Sequence, residues 1–194
     1  MRVPQLRRVA AMAAIGVVFA VAFNASPAHA DATSTDALTE ASVATVETGV
    51  SATTSVSATD YTSALASAGT PLSTEEQASL ASLSCWTWTV WRYAKNLIGS
   101  TLWKYFQKIY WCRNGYRVYY PSVQRRWGEV YWPGWSYKGV ISRWSYGGGG
   151  YTYWQVGSQA HFCLIQYFSC VQNRYPWVEQ IVRGNGYNTY TTGG

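Results

Sequence analysis

Two cysteines, Cys85 and Cys112, bracket the most aromatic part of the chain and constrain its fold more than any other feature. The residues between them begin as CWTWTVWRY and end as KYFQKIYWC. We predict that 85–93 and 103–113 are antiparallel strands joined by a disulfide between these two cysteines. With the cysteines facing each other, the residue numbers of every facing pair add up to 197.

This register sorts the aromatic side chains onto two faces, because successive side chains of a strand point to opposite sides. Trp86 and Trp88 fall on a mostly apolar face and are predicted to be core residues. Trp91 falls on the other face, opposite Phe106, and Arg92 is expected to lie close to it.

A helix over 91–103 competes with this interpretation. Trp91, Ile98 and Leu102 recur there at helical spacing. Gly99 and the flanking aromatic residues favour a strand, a loop and a strand instead.

The first thirty residues are expected to be a secretory leader that is cleaved after Ala30. MRVPQLRR is basic, the next fourteen residues are apolar, and Ala28-His29-Ala30 supplies the small residues that a signal peptidase reads. An uncleaved anchor is the alternative, although the apolar run is short for a bilayer. No second apolar stretch follows. We therefore expect a protein that is secreted, extracellular or cell-wall associated, with no transmembrane segment after cleavage.

All four cysteines lie in the exported part of the chain. An even number of cysteines in a secreted protein indicates disulfides. Three pairings are open, and we favour Cys85–Cys112 with Cys163–Cys170, since each bridge joins neighbouring segments. A zinc site with four cysteine ligands is the rival interpretation, but there is no C-x-x-C pair and the thiols would have to stay reduced.

Residues 31–84 are rich in Ala, Ser and Thr and contain seven carboxylates but no Lys or Arg. Such a segment buries too little apolar surface to offset chain entropy, so we predict a largely disordered linker or removable pro-region. The capping-box pattern that begins at Ser73 predicts one short helix near 74–83.

Residues 85–194 reverse this balance, with twelve Lys and Arg against two glutamates and hence a formal charge of +10. This asymmetry indicates an anionic partner for the basic domain. The acidic linker is one such partner, since it could fold back onto the basic residues. Simple solubility is the alternative explanation.

The basic domain is predicted to be a single antiparallel β-sandwich, because aromatic residues are frequent and turn signals recur at short spacing. Asn114-Gly115 predicts a hairpin. Pro121 is expected to end the next strand, and Gly157 is expected to mark a bulge. The later strands are expected at 116–121, 127–132, 137–144, 151–157, 159–166, 169–174 and 177–183.

Few side chains of the domain could serve in catalysis. Its only carboxylates are Glu129 and Glu179, and His161 is the only histidine that follows the leader. A small hydrolase, either a glycosidase or a ribonuclease, would have to use these residues. Salt-bridge roles for the glutamates and a hydrogen-bonded strand position for the histidine are simpler interpretations. No metal or cofactor is expected.

Two turns are predicted to present aromatic side chains. Pro133-Gly134 should hold Trp132 and Trp135 out at a loop tip. Gly147–Gly150 should be a flexible hairpin tip with a tyrosine on either side that could close over a ligand.

Aromatic and basic residues also alternate, as in Trp91-Arg92-Tyr93 and Arg143-Trp144. Aromatic rings offer faces to sugars, and basic groups attract acidic polymers. Most of the eleven tryptophans must nevertheless fill the core, and Lys and Arg stems often cover aromatic surface. The predicted ligand-binding residues are Trp91, Arg92, Trp132, Trp135, Lys138, Trp144, Tyr146 and Tyr151.

The block from CWTWTVWRYAKNLIGSTLWKYFQKIYWCRNG through HFCLIQYFSCVQNRYPWVEQIVRGNG resembles a group of secreted actinobacterial proteins of unknown function. The resemblance covers 85–187 and includes the paired cysteines, the aromatic strands and the segment 174–177. It implies export and a β domain, and it implies no catalytic residues.

The expected function is non-catalytic binding of a cell-wall or extracellular polysaccharide, which is an anionic or neutral polymer. A small secreted hydrolase is the first alternative. The second is a toxin or anionic-surface-binding protein that is masked by its acidic segment.

Overall fold

The structure is a computed structural model that describes residues 39–194. The expected leader, its cleavage site and the first part of the predicted linker lie outside the described residues. The strands are β1 (Thr45–Val50), β2 (Thr54–Val56), β3 (Ser84–Lys95), β4 (Thr101–Arg113), β5 (Val118–Val130), β6 (Trp135–Gly147), β7 (Tyr153–Gln166), β8 (Ser169–Arg174), β9 (Trp177–Arg183) and β10 (Thr189–Gly193). The helices between β2 and β3 are α1 (Ala58–Ser67) and α2 (Thr74–Leu80).

Two antiparallel sheets form a sandwich. The first sheet has the order β1-β3-β4-β5, and β2 also pairs with β3. The second sheet has the order β10-β9-β7-β6, and β8 also pairs with β7. The predicted all-β sandwich with two disulfides is therefore confirmed, and the bridges are Cys85–Cys112 and Cys163–Cys170.

The disulfide register of β3 and β4 is confirmed along most of its length. Cys85 faces Cys112, Trp88 faces Ile109 and Trp91 faces Phe106, and the pairing shifts only beyond Ala94. The helical interpretation of 91–103 is wrong, because these residues belong to the two strands and the loop between them.

Aromatic side chains fill the space between the sheets. Trp103 is fully buried and stacks on Phe162 of the second sheet, with 4.6 Å between the ring centroids. Trp88 and Trp111 are also buried in this core, and Trp86 packs against it in a half-buried position. Much of the tryptophan content is therefore structural.

A buried polar network links the sheets through this apolar core. The Tyr105 hydroxyl lies 2.7 Å from Ser158 Oγ, which donates to Gln107 Oε1 at 2.6 Å. Gln107 Nε2 in turn donates to Gln180 Oε1 at 3.1 Å. Since strand β4 carries two of these residues and the second sheet carries the other two, the network specifies how the sheets face each other.

The two helices cover one half of the outer face of the first sheet. Tyr61, Leu65 and Leu80 are buried there against Tyr110 and the Cys85–Cys112 bridge. This second small core fastens the helical segment to the sandwich.

The prediction of disorder is wrong for residues 39–84. This segment supplies β1, β2 and both helices, and β1 pairs with β3 from Thr45↔Lys95 to Val50↔Val90. Its few apolar side chains are enough, because an existing sheet satisfies the backbone hydrogen bonds of the added strands. The predicted short helix is confirmed as Thr74–Leu80, and the capping box of Ser73 and Glu76 is present.

Several predicted strand boundaries also need correction. Pro121 does not end a strand, since β5 continues through it, and the proline is tolerated because β5 is an edge strand. The predicted strands 151–157 and 159–166 are one strand, β7, with no register shift at Gly157. The strands at 169–174 and 177–183 are confirmed, and β10 was not predicted.

Three tryptophans lie over glycines of neighbouring strands. The facing pairs are Gly49↔Trp91, Trp144↔Gly157 and Gly193↔Trp177. A Cβ atom at any of these glycines would lie within 2.6 Å of the indole ring. The glycines make room for the rings, and the rings cover the bare backbone of the glycines.

The glycine tip is attached to the sandwich instead of projecting freely. Gly150 N donates to Val118 O at 2.8 Å, and Val118 N donates to Tyr151 O at 2.8 Å. Arg117 Nη1 also donates to Gly150 O at 2.8 Å. The prediction of a flexible hairpin tip at Gly147–Gly150 is therefore wrong.

Candidate functional site

The half of the first sheet's outer face that the helices leave open carries a row of aromatic rings. Trp91, Phe106 and Trp127 lie side by side on β3, β4 and β5. Phe106 stacks on Trp127 with ring centroids 4.6 Å apart, and its ring is tilted by 34° to that of Trp91, with centroids 5.8 Å apart. We call these three residues the aromatic ladder.

A groove of about 390 Å³ separates the aromatic ladder from helix α1. Lys108 and Arg125, two residues along their strands from the ladder, line it together with Gln124 and Trp127. Helix α1 contributes only small side chains, which are Ala64, Ser67 and Ala68. The groove is thus wide, open and cationic, with an aromatic ring at one side.

Neither cation of the groove forms an ion pair with a carboxylate among residues 39–194, although Arg125 is close enough to Glu129 to interact with its charge. Among residues 39–194 the one ion pair joins Lys95 to Glu47, at 3.0 Å. Lys108 Nζ lies 5.4 Å from the ring centroid of Tyr110, and the guanidinium carbon of Arg125 lies 5.0 Å from that of Trp127. Both charges therefore remain available to an anionic ligand.

A carboxylate holds Trp127 in place. Trp127 Nε1 donates to Glu129 Oε1 at 2.8 Å, and the Tyr131 hydroxyl donates to the other oxygen. The hydrogen bond from Tyr131, and after it the one from Trp127, hold the pKa of Glu129 below its usual value of 4.5. The hydrogen bond to Glu129 in turn raises the pKa of Tyr131 to about 12. Glu129 is thus an anchor for the ring at the groove.

The depressed pKa predicts an acid transition at this anchor. The carboxylate stabilises the folded protein at neutral pH, and this contribution is lost as the pH falls through the folded pKa, below 4.5. We expect the indole N–H resonance of Trp127 to shift with a midpoint below pH 4.5 in an NMR titration. Glu129→Gln should abolish this transition.

The indole of Trp135 is the matched control for this titration. It donates to a backbone carbonyl, that of Ala41, at 2.9 Å and should not report a carboxylate. A Trp127 resonance that stays constant down to the pH of unfolding would contradict the anchoring role of Glu129.

Both tryptophans of the Pro133-Gly134 turn are directed inward, contrary to the prediction. Trp135 is buried and Trp132 packs half-buried against the core between the sheets. The physical reason is the segment before β1, since Ala41 is buried in the same core and accepts the hydrogen bond of the Trp135 indole.

Arg92 does not lie on the same face as Trp91, contrary to the prediction. It belongs to the inner face of β3, where Arg92 Nη1 donates to Thr48 Oγ1 at 3.0 Å, and Thr48 Oγ1 lies 2.6 Å from Thr192 Oγ1. Arg92 and Trp91 are neighbours in sequence, and they point to opposite faces for that reason.

The remaining predicted ligand-binding residues do not converge on the groove. Trp144 is half-buried on the outer face of the second sheet, and Lys138 is exposed on the same strand. Tyr146 and Tyr151 are exposed near the glycine tip. Of the predicted set, only Trp91 belongs to the aromatic ladder.

The three candidate catalytic residues are not brought together. Glu129 and Glu179 lie on the outer faces of different sheets, whose packing distance alone is about 10 Å. Paired glycosidase carboxylates are about 5–9.5 Å apart. His161 lies on the same face of the second sheet as Glu179. Glu179 faces Gly157 on β7, and His161 is four residues further along that strand, so about 13 Å separates the two positions.

Each candidate catalytic residue on the second sheet has a local partner. Glu179 Oε2 accepts from Trp144 Nε1 at 2.6 Å. His161 Nε2 lies 2.7 Å from Asn173 Oδ1, and its ring stacks on Tyr175. Within residues 39–194 no group of three or more His, Cys, Asp or Glu side chains is arranged to hold a metal ion.

None of the predicted ligand-binding residues lines the groove. The disulfide register predicted Trp91 opposite Phe106, but placing Trp127 and Arg125 beside them requires the β4–β5 register, which shifts twice. Arg125-Arg126-Trp127 was itself a visible signal of interleaved basic and aromatic residues. The α1 wall had been assigned to the disordered linker.

Comparison of the chain with family models, with curated proteins and with solved structures found no match. The resemblance to secreted actinobacterial proteins stays a prediction. Within residues 39–194 no helix is long and apolar enough to cross a membrane.

Proposed function

We propose that this protein is a non-catalytic module that binds an acidic polysaccharide of the cell wall or the extracellular space in the groove. The observation that carries the proposal is that Lys108 and Arg125, which form no ion pair within residues 39–194, line a groove of about 390 Å³ beside Trp127. Sites for small ligands and single sugar units have volumes in this range. The two disulfides are compatible with a protein that works outside the cell.

The groove combines two modes of attraction. Lys108 and Arg125 supply positive charge to carboxylate or phosphate groups of the polymer. Trp127 lies on the edge strand β5, where no further strand covers it, and the Arg125 guanidinium carbon lies 5.0 Å from its ring centroid. A sugar that contacts the exposed part of this ring therefore also lies beside the positive charge. The other ladder rings share much of their surface with each other, and they serve chiefly to support Trp127.

Neutralising the groove is expected to abolish most of the binding. We expect the double variant Lys108→Gln, Arg125→Gln to bind a soluble carboxylate polymer such as polygalacturonate at least about tenfold more weakly, because each charge-assisted hydrogen bond contributes about 1.5–3 kcal/mol. Isothermal titration calorimetry at two salt concentrations measures this. The parent affinity should fall with salt, and the salt dependence of the variant should be smaller.

The matched control is Lys138→Gln, Arg143→Gln, which removes the same charge from exposed positions of the second sheet. Equal losses in both double variants would show that net charge matters and the groove does not, which would contradict the proposal. Teichoic acid and neutral chitin fragments are the other two probes. They distinguish a phosphate polymer and a neutral glycan from a carboxylate polymer.

The two alternatives receive less support from the structure. A hydrolase that uses Glu129, Glu179 or His161 would have to act with groups that lie on different faces or far apart on one face. Masking by the acidic segment cannot be tested by removing 31–84, because 39–84 contains strands of the first sheet. The acidic segment contacts the basic domain as part of the fold, since Glu47 on β1 forms an ion pair with Lys95 on β3.

A further inference from the structure

The hairpin between β7 and β8 exposes two aromatic side chains at its tip. Gln166 faces Ser169, so Tyr167 and Phe168 alone form the turn. Tyr167 is 82% exposed and Phe168 is 105% exposed, the most of any large apolar residue in the described part of the chain. The Cys163–Cys170 bridge ties the two strands together just below the tip.

This turn is an unfavourable place for aromatic residues. Both have a positive φ, 48° for Tyr167 and 68° for Phe168. Two-residue hairpins with this geometry normally carry Asn-Gly or similar small residues, since a bulky side chain is strained there. Neither ring is buried by the fold, so the fold gains nothing that would offset the strain. Strained backbone and exposed apolar side chains are both typical of sites that contact another molecule.

The surroundings of the tip are apolar and then cationic. Ile165 and Val171 are exposed on the hairpin below the aromatic pair. Lys138 and Arg174 lie on the two strands beside Phe162, five residues before Tyr167, and the sequence from 130 to 178 contains no Asp or Glu. An apolar tip above a cationic base fits an anionic bilayer, whose apolar interior lies beneath negatively charged headgroups.

A second apolar loop projects from the same end of the sandwich. Leu97 is 74% exposed and Ile98 is 67% exposed in the loop between β3 and β4. The β5–β6 loop lies next to both apolar loops. At its start Tyr131 N donates to Leu102 O, just after the β3–β4 loop, and near its end Gly134 O accepts from Ile165 N, just before the Tyr167–Phe168 tip. Both apolar loops therefore lie at the same end of the sandwich.

The size and shape of these tips do not suit a second copy of the chain. Two aromatic side chains offer about 150–250 Å² each. A stable protein interface buries about 800 Å² on each partner. Projecting loops are suited to insertion into a soft, fluid surface, where tyrosine and phenylalanine reside at the boundary between headgroups and acyl chains.

We propose that the hairpin tip of Tyr167 and Phe168 docks this protein on the surface of an anionic lipid bilayer, with the Leu97–Ile98 loop as a second contact. This site is separate from the groove, which lies on the outer face of the first sheet. It does not depend on the function proposed for the groove.

The test replaces the tip by the residues that the turn itself favours. In Tyr167→Asn, Phe168→Gly the hairpin should be retained, because Asn-Gly fits this turn geometry. Residues 31–194 are used, since the apolar run of the expected leader would itself bind lipid. In flotation with vesicles of phosphatidylglycerol and phosphatidylcholine in equal parts, the parent should bind and the variant should bind at least about tenfold more weakly.

The matched control is Tyr187→Asn, which removes a tyrosine that is 65% exposed in the loop after β9, at the other end of the sandwich. It should leave vesicle binding unchanged. Polygalacturonate binding and thermal stability of the Asn-Gly variant should not fall, which separates this result from a failure of the groove or of folding.

Two results would overturn the docking proposal. One is vesicle binding by the Asn-Gly variant with the affinity of the parent. The other is a parent that ignores vesicles but sediments as a dimer that the Asn-Gly variant does not form, which would make the tip a contact between copies.

Discussion

A chain that begins at residue 85 should fail to fold, although this position opens the basic aromatic domain. Such a chain lacks β1, β2 and both helices, so it loses the buried side chains of Tyr61, Leu65 and Leu80. Burial of three large side chains contributes about 5–9 kcal/mol. That is comparable to the whole free energy of unfolding of an ordinary domain, about 5–15 kcal/mol.

The truncation also leaves polar groups of the core without partners. The Trp88 indole donates to Ser51 O at 3.2 Å, and the Trp135 indole donates to Ala41 O at 2.9 Å. Strand β3 would become an exposed edge along its side that faces β1 and β2. These losses add to the apolar term, and aggregation is the expected fate of the fragment.

Urea unfolding followed by near-ultraviolet circular dichroism measures the difference between the chains 85–194 and 39–194. The longer chain should unfold cooperatively, and the shorter chain should show no transition and little signal. A cooperative transition for 85–194 would mean that residues 39–84 are an appendage and that the folded domain begins where its charge changes sign.

The disulfide explains why the first hairpin was predictable. A bridge between facing strands leaves one register, and the alternation of side chains then follows for Trp88 on one face and Trp91 on the other. Asn114-Gly115 was predictable for a similar local reason, because Gly115 adopts φ = 93° in the turn between β4 and β5.

Composition was a poor guide to the acidic segment. Residues 31–84 contain too few apolar side chains to form a core of their own, which is why disorder was expected. Its strands add to a sheet that the rest of the chain builds, and its apolar residues cover the Cys85–Cys112 bridge. The composition of 31–84 cannot reveal these contacts, because the surface that the segment packs against lies in the rest of the chain.

The exposure of the tryptophans depends on partners that sequence alone does not reveal. Trp144 is half-buried because it lies over Gly157, which faces it on the next strand. Trp135 is buried because the residues before β1 close over the turn. The groove required both kinds of information, the register of β5 and the position of α1. None of its lining residues was therefore among the predicted binding residues, and only Trp91 of the neighbouring aromatic ladder was.

Removing the Cys85–Cys112 bridge is expected to destabilise the protein more than removing Cys163–Cys170. The first bridge closes a loop of 27 residues and the second a loop of 7, so chain entropy predicts losses of about 3.5 and about 2.5 kcal/mol. Burial widens the difference, because Cys85 and Cys112 are buried beneath the helices, whereas Cys170 is exposed.

The measurement compares Cys85→Ala, Cys112→Ala with Cys163→Ala, Cys170→Ala by urea unfolding under identical conditions. Alanine is the better replacement, since a serine hydroxyl would be buried without an assured partner in the small core around Tyr61 and Leu80. The second double variant should also leave the groove intact, so its affinity for polygalacturonate should equal that of the parent. If instead Cys163–Cys170 proved the more stabilising bridge, the helical cover would be held by its own apolar contacts, and the disulfide beneath it would be a minor contributor to the fold.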